Sequence, residues 1–324
     1  MIRNLIYFAI LILTISACKK EIKIDIPENE RKVVVNGVFN VGEPIVLWVS
    51  KSKSMLEKSD IESLDNAEIK LFENDEYITT LETENHFWYE KYNWDQNNYQ
   101  VDSIYRNVYY SKNMEVSADK KYKIEIIAPG LDKKASVEFK APTLVPILKL
   151  DTTTVKTDQW SSNLQFDLQM DDPGNEENFY VINVKIKEIE WYENELGEIY
   201  SSYYEYFAYL ETEDILINSG NIWIDKGLIF NDRLFDGKLQ HVIFKTIPYT
   251  SSQSDTTYYQ VILRSISKDY YNYLVTLSLY NNSEGNPIAE PVSVKSNVEN
   301  GFGIVTAVNQ WIDSSIVYTK PNTP

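Results

Sequence analysis

The sequence predicts a mainly β protein with two antiparallel sandwiches in tandem and one short helix. Three observations lead to this fold class. Stretches of about five residues alternate between apolar and polar side chains, turn signals separate these stretches, and amphipathic helical segments are nearly absent. This combination is typical of immunoglobulin-like and fibronectin-like sandwiches. With 324 residues, the chain is long enough for two such domains.

Residues 30–142 are predicted to form the first sandwich. A strand at 32–35 is followed by Asn36-Gly37, the dipeptide most favourable for a tight hairpin turn. Gly42-Glu43-Pro44 and Ala128-Pro129-Gly130 predict two further turns. The alternating segments predict strands at 45–50, 67–73, 122–127 and 135–139.

Residues 146–324 are predicted to form the second β-rich domain. The boundary falls at 141–146, where Pro142 and Pro146 remove backbone donors and favour extended geometry. Ser267 is a predicted N-cap for a helix at 268–280, the one break in the β pattern, with Tyr271, Leu274, Val275 and Ser278 along one side. Gly301-Phe302-Gly303 is predicted to be a turn. Strands are predicted at 164–170, 179–187, 240–247, 258–265 and 303–308.

The N-terminus has the pattern of a bacterial lipoprotein signal. Arg3 precedes an apolar run that is too short to span a bilayer, and Ser16-Ala17 leads directly to Cys18, the sole cysteine. We therefore expect a signal peptide at 1–17, acylation of Cys18, and a lipidated tether at 18–29. The alternative is a signal anchor or a plain secretory signal with an incidental cysteine.

Composition restricts the partners. The chain carries 48 Asp and Glu against 31 Lys and Arg, a net charge of −17. Nucleic acid is therefore an unfavourable partner, because binding its phosphates needs a basic surface. Since Cys18 is the only cysteine, the fold has no internal disulfide and depends on its hydrophobic core.

Seven short motifs follow Cys18, at 24–27, 33–37, 66–71, 128–130, 172–173, 178–180 and 290–304. Together they resemble the DUF4249 family of outer-membrane lipoproteins of the Bacteroidota. The similarity covers nearly the whole chain after Cys18, and its most specific part is the segment at 290–304. The resemblance implies a lipid-anchored outer-membrane protein, often paired with a TonB-dependent receptor of the nutrient-import kind, and it supplies no catalytic residues. Whether the protein faces the cell surface or the periplasm stays open.

Motifs for catalysis and cofactor binding are absent from the sequence. The two histidines, His86 and His241, lie far apart without a close second ligand, so neither a metal site nor a histidine-based triad is expected. The loop at 171–178 offers several oxygen ligands that could hold calcium, but it lacks the EF-hand spacing. A hairpin turn is the favoured interpretation of that loop. We expect no cofactor and no resident metal.

Aromatic density is the main indication of a binding function. Residues 86–110 and 191–209 are both rich in Trp and Tyr, which give large contact areas at low rotamer entropy. The alternative is that these rings form strand cores and cross-strand pairs. The first segment is the favoured candidate, because its amides are typical of a loop or extended hairpin. The candidate binding residues are Trp88, Tyr89, Tyr92, Trp94, Tyr99 and Tyr105.

Two functional classes follow. The first is a non-enzymatic accessory lipoprotein that binds a TonB-dependent receptor in nutrient uptake. The second is a cell-surface hydrolase or adhesin that acts on glycan or peptide; paired carboxylates for a glycosidase can occur in any acidic sandwich. The lack of catalytic motifs favours the first class, and the fold does not discriminate between them.

Overall fold

A computed structural model of the protein describes residues 30–54, 57, 61–95, 98–156, 162–193, 197–214, 217, 227–247, 256–283, 290 and 292–319. For 87–95, 98–102, 104, 156, 162, 318 and 319 the description is limited to the backbone. The chain divides into two compact units, and the second of them, Arg31–Lys53 with Lys58–Pro324, contains every strand and helix named below. Signal peptide, Cys18 and tether lie outside the described residues.

The described residues are mainly β, as predicted, with one helix, α1 (Lys268–Ser283). The strands in the first predicted half are β1 (Val33–Asn40), β2 (Pro44–Lys51), β3 (Glu68–Glu73), β4 (Glu76–Thr80), β5 (Glu82–Asp95), β6 (Asn98–Glu115), β7 (Lys121–Ile127) and β8 (Ala135–Lys140). Those in the second half are β9 (Ile147–Lys156), β10 (Ser162–Asp171), β11 (Phe179–Glu193), β12 (Ile199–Phe207), β13 (Leu210–Glu211), β14 (Leu228–Asn231), β15 (Leu239–Thr246), β16 (Thr256–Ile266), β17 (Val298–Glu299) and β18 (Gly301–Thr319).

Within the described residues the strands form three sheets. The largest has nine strands in the order β12-β11-β16-β18-β1-β2-β6-β5, with β14 also paired to β11. A five-stranded sheet has the order β17-β8-β7-β3-β4, and a four-stranded sheet has the order β13-β15-β10-β9. The nine-stranded sheet therefore contains strands from both predicted domains.

The two smaller sheets cover one face of the nine-stranded sheet, and each encloses a hydrophobic core. In the first core, Val35 and Leu47 of the large sheet pack with Ile124 of the five-stranded sheet. In the second, Val184 and Leu263 of the large sheet pack with Phe166 of the four-stranded sheet. A smaller cluster around Val181, Val308 and Leu274 forms on the opposite face beneath α1. The result is a sandwich-like arrangement of layers.

Alternation along the strands places the predicted side chains in these cores. Tyr122, Ile124 and Ile126 of β7 are fully buried, as are Phe166, Leu168 and Met170 of β10. Asn183 lies on the face of β11 opposite Ile182, as predicted, but it is buried as well. Both faces of β11 are covered at this point, because α1 packs over the second face and the chain at Gly227 comes close to the Asn183 amide.

β1 and β18 form the one parallel pair among the described strands, and they differ in this respect from the predicted antiparallel pairing. The register joins Val33 to Gly301 and Asn40 to Val308. Every other described pair is antiparallel. This contact connects the two ends of the folded chain.

The turn predicted at Asn36-Gly37 is wrong. Both residues lie within β1, paired with Ile304 and Val305 of β18, and the chain turns instead at Gly42. Asn36 uses its Oδ1 to accept a hydrogen bond from the Ile304 N–H at 3.3 Å. At Gly37 a Cβ would lie 2.5 Å from Leu47 Cδ2, so the glycine permits close strand packing.

The turn predicted at Gly301-Phe302-Gly303 is also wrong. These residues begin β18, and the turn occupies Asn300, which has φ 55°. Gly303 has φ 110°, and a Cβ there would lie 2.0 Å from the Val35 carbonyl oxygen. The glycine is therefore required by the close approach of β1 rather than by a reversal of the chain.

The helix prediction is confirmed, and α1 extends three residues beyond the predicted end at 280. Ser267 caps it: the Tyr270 N–H donates to Ser267 Oγ at 3.2 Å. Leu274 and Ser278, two members of the predicted inner side, are buried. The predicted boundary at 141–146 falls between β8 and β9.

Candidate binding surface

The antiparallel hairpin of β11 and β12 presents the densest exposed aromatic surface among the side chains that the structure describes. The register pairs Lys185 with Phe207 at one end and Glu193 with Ile199 at the other. The first eight residues of β11 are packed into the sheet, whereas its last three are exposed. Because β12 is an edge strand with few buried residues, the distal half of the hairpin lies outside the core.

The aromatic side chains of this hairpin are far more exposed than core aromatics. Trp191 is 56% exposed, Tyr203 63% and Tyr204 59%. We call the exposed apolar and aromatic set of these two strands the β11–β12 surface. Its members lie on both faces of the hairpin: Trp191, Ile199, Tyr203 and Phe207 on one face, and Tyr192, Tyr200 and Tyr204 on the other.

Cross-strand contacts order this surface. The rings of Tyr192 and Tyr200 are direct neighbours in the register and stack with centroids 6.1 Å apart. The Lys187 Nζ lies 4.5 Å from the centre of the Tyr203 ring, a cation–π contact. Such contacts reduce the rotamer freedom that these side chains lose when a partner binds.

Basic side chains accompany the aromatic rings. Lys185 Nζ lies 2.5 Å from Glu205 Oε2, and Lys187 Nζ lies 3.8 Å from Glu205 Oε1. Hydrogen bonding to Lys185 lowers the pKa of the Glu205 carboxyl, and burial opposes this shift. The surface thus combines aromatic area, which is enriched in protein interfaces, with charged groups of the kind found at an interface rim.

The segment that the sequence favoured, 86–110, is a long hairpin of β5 and β6. Trp88, Tyr89, Tyr92 and Trp94 lie on β5, and Tyr99 lies on β6, but their side chains are outside the described part of the structure. The backbone register pairs Trp94 with Tyr99 and Phe87 with Tyr105. Among the six candidates, Tyr105 alone has a described side chain, and it is 56% exposed.

The same strand enters the core four residues later. Tyr109 is buried, donates its hydroxyl to the Leu64 carbonyl at 2.5 Å, and accepts the Ala67 N–H at 2.7 Å. Burial raises the pKa of the Tyr109 phenol. The aromatic residues of β6 therefore include both surface and core positions.

Three carboxylates, those of Asp172, Asp232 and Asp236, converge beside the second core. One oxygen from each lies within 4.8 Å of the others. Asp172 belongs to the turn at 171–178 that the sequence singled out, whereas Asp232 and Asp236 lie in the turn after β14. Asp172 and Asp232 are buried, and Asp236 is exposed.

The two buried carboxylates of this cluster accept hydrogen bonds from neighbouring protein groups. Asp172 accepts the Tyr180 hydroxyl at 2.5 Å and the Gly237 N–H at 2.9 Å. Asn178 donates its backbone N–H and its side-chain amide to Asp232 at 2.8 and 3.1 Å. The cluster therefore ties two turns together. The hairpin turn predicted at 171–178 is wrong, because this segment connects β10 of the four-stranded sheet to β11 of the nine-stranded sheet, and its left-handed residue is Asn175, with φ 76°, rather than Gly174.

Burial has the largest effect on the pKa values of Asp172 and Tyr180 in this cluster. It raises the pKa of Asp172, and the nearby Asp232 and Asp236 raise it further, while the bonds from Tyr180 and Gly237 lower it. Burial also raises the pKa of the Tyr180 phenol, and its bond to Asp172 adds to the effect. Tyr180 is therefore a neutral donor.

The histidines occupy separate places on two sheets. His86 Nε2 lies 3.2 Å from Glu84 Oε2 on β5, and His241 Nδ1 lies 3.1 Å from Asp167 Oδ1 between β15 and β10. Each histidine thus contacts a carboxylate on its own sheet. The structure does not bring the two together.

These observations define the class: an all-β, sandwich-like protein with a single described helix and an exposed aromatic hairpin. The family model for the domain of unknown function DUF4249 matches residues 19–311, so the chain belongs to that family. No curated protein matches the chain. Within the described residues, no helix combines the length and apolar composition needed to cross a membrane.

The sequence favoured the aromatic segment at 86–110 over the one at 191–209, but a sequence does not show which aromatic side chains are exposed. The high density of Trp and Tyr at 191–209 was a usable signal for the β11–β12 surface. No local signal, in contrast, linked Asp172 to Asp232 and Asp236, since these residues are separated by about sixty positions and meet only in the folded chain.

Proposed function

We propose that this protein is a non-enzymatic, lipid-anchored outer-membrane protein that binds a TonB-dependent receptor and assists nutrient uptake. The observation that carries the proposal is the exposed, ordered aromatic area of the β11–β12 surface. Exposed Trp and Tyr with fixed orientations are typical of protein-binding hot spots. The signal pattern ending at Cys18 supports the membrane location, since several acyl chains on one residue give lasting attachment.

The receptor is the proposed occupant because the aromatic surface and the lipid anchor belong to one chain. A protein held at the membrane meets an integral membrane partner at high effective concentration. Lys185, Lys187 and Glu205 beside the aromatic rings are compatible with the polar rim of a protein interface, and the net charge of −17 disfavours a phosphate-rich partner. The candidate residues of β5 and β6 form a second proposed part of this binding area.

The test is affinity capture of the full lipidated chain from solubilised native outer membrane, followed by mass spectrometry. We expect a TonB-dependent receptor to copurify. The double variant Trp191→Ala with Tyr203→Ala should weaken binding of that receptor about 30-fold or more, which corresponds to about 2 kcal/mol. Tyr77→Ala is the matched control, because Tyr77 is equally exposed but lies on β4 of another sheet.

Two further variants separate the parts of the proposal. The double variant Trp88→Ala with Trp94→Ala tests the β5–β6 candidates. Cys18→Ser tests the anchor: we expect this variant to leave the membrane fraction or to remain unprocessed. Receptor capture that is unchanged in both double variants contradicts the assigned surface. Hydrolysis of glycan or peptide by the purified chain, or capture of such polymers in place of a receptor, supports the hydrolase or adhesin alternative.

A further inference from the structure

The backbone of β12 has one side turned away from the nine-stranded sheet. β12 pairs with β11 and ends the described strand order of that sheet. The Ala208 N–H donates to the Val184 carbonyl at 2.8 Å, so residues 184 and 208 form a hydrogen-bonded pair of the antiparallel ladder. Because such pairs alternate along two strands, the even-numbered residues of β12 direct their backbone groups toward β11, and the odd-numbered residues direct theirs away from it.

Five residues therefore present their backbone groups along the outer edge of β12. Each contributes one N–H donor and one C=O acceptor, and the nine-residue strand is about 30 Å long. Within the described part of the chain, no hydrogen bond engages these outward groups. The five residues are Ile199, Ser201, Tyr203, Glu205 and Phe207. This edge can accept a further strand along its whole length.

β12 lacks the features that protect exposed edge strands against pairing. Such strands are usually very short, contain bulges, or carry lysine or proline. β12 has no lysine or proline, its register with β11 is continuous, and Glu205 is its one charged residue. The end strands of the other sheets differ: β13 and β17 have two residues each, and β4 and β9 pair with their neighbours through shifted registers. At the other end of the nine-stranded sheet, β5 also pairs through a shifted register.

A second copy of the chain fits this edge in an antiparallel register. With Tyr203 on a two-fold axis, every outward residue of one β12 lies opposite an outward residue of the other, so all the outward groups are paired. Ile199 then lies opposite Phe207 of the second copy, which is an apolar cross-strand pair, and Ser201 lies opposite Glu205. No like charges are directly opposed along β12, and each Glu205 keeps its ion pair with Lys185 of its own chain.

We infer that two copies of this protein form a two-fold symmetric dimer by antiparallel pairing of their β12 edges, which joins their nine-stranded sheets into one. The contact is closed, because a two-fold interface uses the same edge on both copies. A lipid anchor at Cys18 would hold both copies at one membrane and so raise their effective concentration. The inference goes beyond the proposed receptor binding, since it concerns the backbone edge of β12 and needs no receptor.

Analytical ultracentrifugation of the purified full chain in detergent tests this dimer. One strand pair is a small interface, so we expect a reversible, concentration-dependent dimer. Ser201→Glu opposes two carboxylates at each of two symmetric positions and should weaken the dimer about fivefold or more, whereas Ser201→Lys faces Glu205 of the second copy and should strengthen it by a similar factor. Thr153→Glu is the matched control and should change nothing, because Thr153 is an exposed residue of β9, an end strand of another sheet.

Cysteine cross-linking is a second measurement that does not depend on charge. Residues of a hydrogen-bonded pair have Cα atoms about 5.5 Å apart, which is within the range for a disulfide. Tyr203→Cys should therefore give a cross-linked dimer on mild oxidation, whereas Tyr77→Cys, at an exposed position of β4, should not.

Three results would each overturn the inference. The first is a chain that stays monomeric up to about 100 µM. The second is equal association of the Ser201→Glu and Ser201→Lys variants, as contact through the lipid anchors alone would give. The third is equal cross-linking of the two cysteine variants. Because no receptor is present in these experiments, failure of the dimer and failure of receptor capture are separate results.

Discussion

Tyrosine has different roles in the second core and on the β11–β12 surface. Tyr180 is fully buried, its ring centre lies 5.3 Å from that of Phe230, and its hydroxyl donates to Asp172. Tyr203 is mainly exposed, and its ring is in contact with the Lys187 ammonium. The two residues lie on β11 and β12, which are paired strands of the nine-stranded sheet. One of them stabilises the fold, and the other is exposed at the surface.

The comparison shows that a tyrosine that stabilises the core has a buried hydroxyl with a specific hydrogen-bond acceptor. Tyr109, Tyr122 and Tyr180 each donate to a specific acceptor, and burial raises the pKa of each phenol. A buried hydroxyl needs such a partner because an unpaired one costs about 1–3 kcal/mol. Exposed rings such as Tyr204 can satisfy their hydroxyls with water.

Alanine at a core tyrosine should produce the largest effect. Tyr122 is fully buried and stacks on Phe139 with centroids 5.4 Å apart. We expect Tyr122→Ala to lower the free energy of unfolding by about 3–5 kcal/mol, because it leaves a cavity and unpaired polar groups. Tyr203→Ala should change the free energy by no more than about 0.5 kcal/mol. Urea denaturation measures both; equal losses would remove the distinction between the regions.

Removal of one hydroxyl gives the next largest effect. Tyr180→Phe leaves the buried Asp172 carboxyl without its 2.5 Å donor, so we expect a loss of about 1–3 kcal/mol in the free energy of unfolding. Tyr204→Phe is the control, since its ring is mainly exposed, and it should be nearly neutral. A neutral Tyr180→Phe would show that the Asp172 contact adds nothing to stability.

The smallest expected effect is a pH dependence from Asp172. Since burial raises its folded pKa above the unfolded value of about 3.9, the folded state holds the proton more tightly. Stability should therefore fall as pH rises from the unfolded to the folded pKa, by at most about 1.4 kcal/mol per pH unit. Urea unfolding of the wild type and Asp172→Asn across this window measures the difference.

The comparison with the variant is needed because other carboxyls act in the opposite direction. Lysine partners lower the pKa values of Glu125 and Glu205, for example, so their contributions are lost as pH falls. The stability difference between wild type and Asp172→Asn isolates the buried carboxyl. A difference that stays constant across the window contradicts the prediction.

Local patterns predicted most of the strands and the helix. The alternation at β7 and β10 and the Ser267 cap are properties of short segments, and the structure confirms them. The failures at Asn36-Gly37 and Gly301-Phe302-Gly303 share one cause. Asn36 and Gly303 serve the close packing of β1 against β18, which are separated by more than 260 positions in sequence, and Gly37 permits the close packing of β1 against β2.

The sequence by itself determined the β class, the helix and its cap, and the aromatic segments, because each depends on the periodicity or chemistry of neighbouring residues. Only the tertiary structure decided which tyrosines are exposed, how Asp172 meets Asp232, and that β12 lies at the edge of a sheet. These features depend on contacts between distant segments. The physical reason is that burial and hydrogen-bond pairing are properties of a site in space, whereas a sequence pattern specifies only one strand or helix at a time.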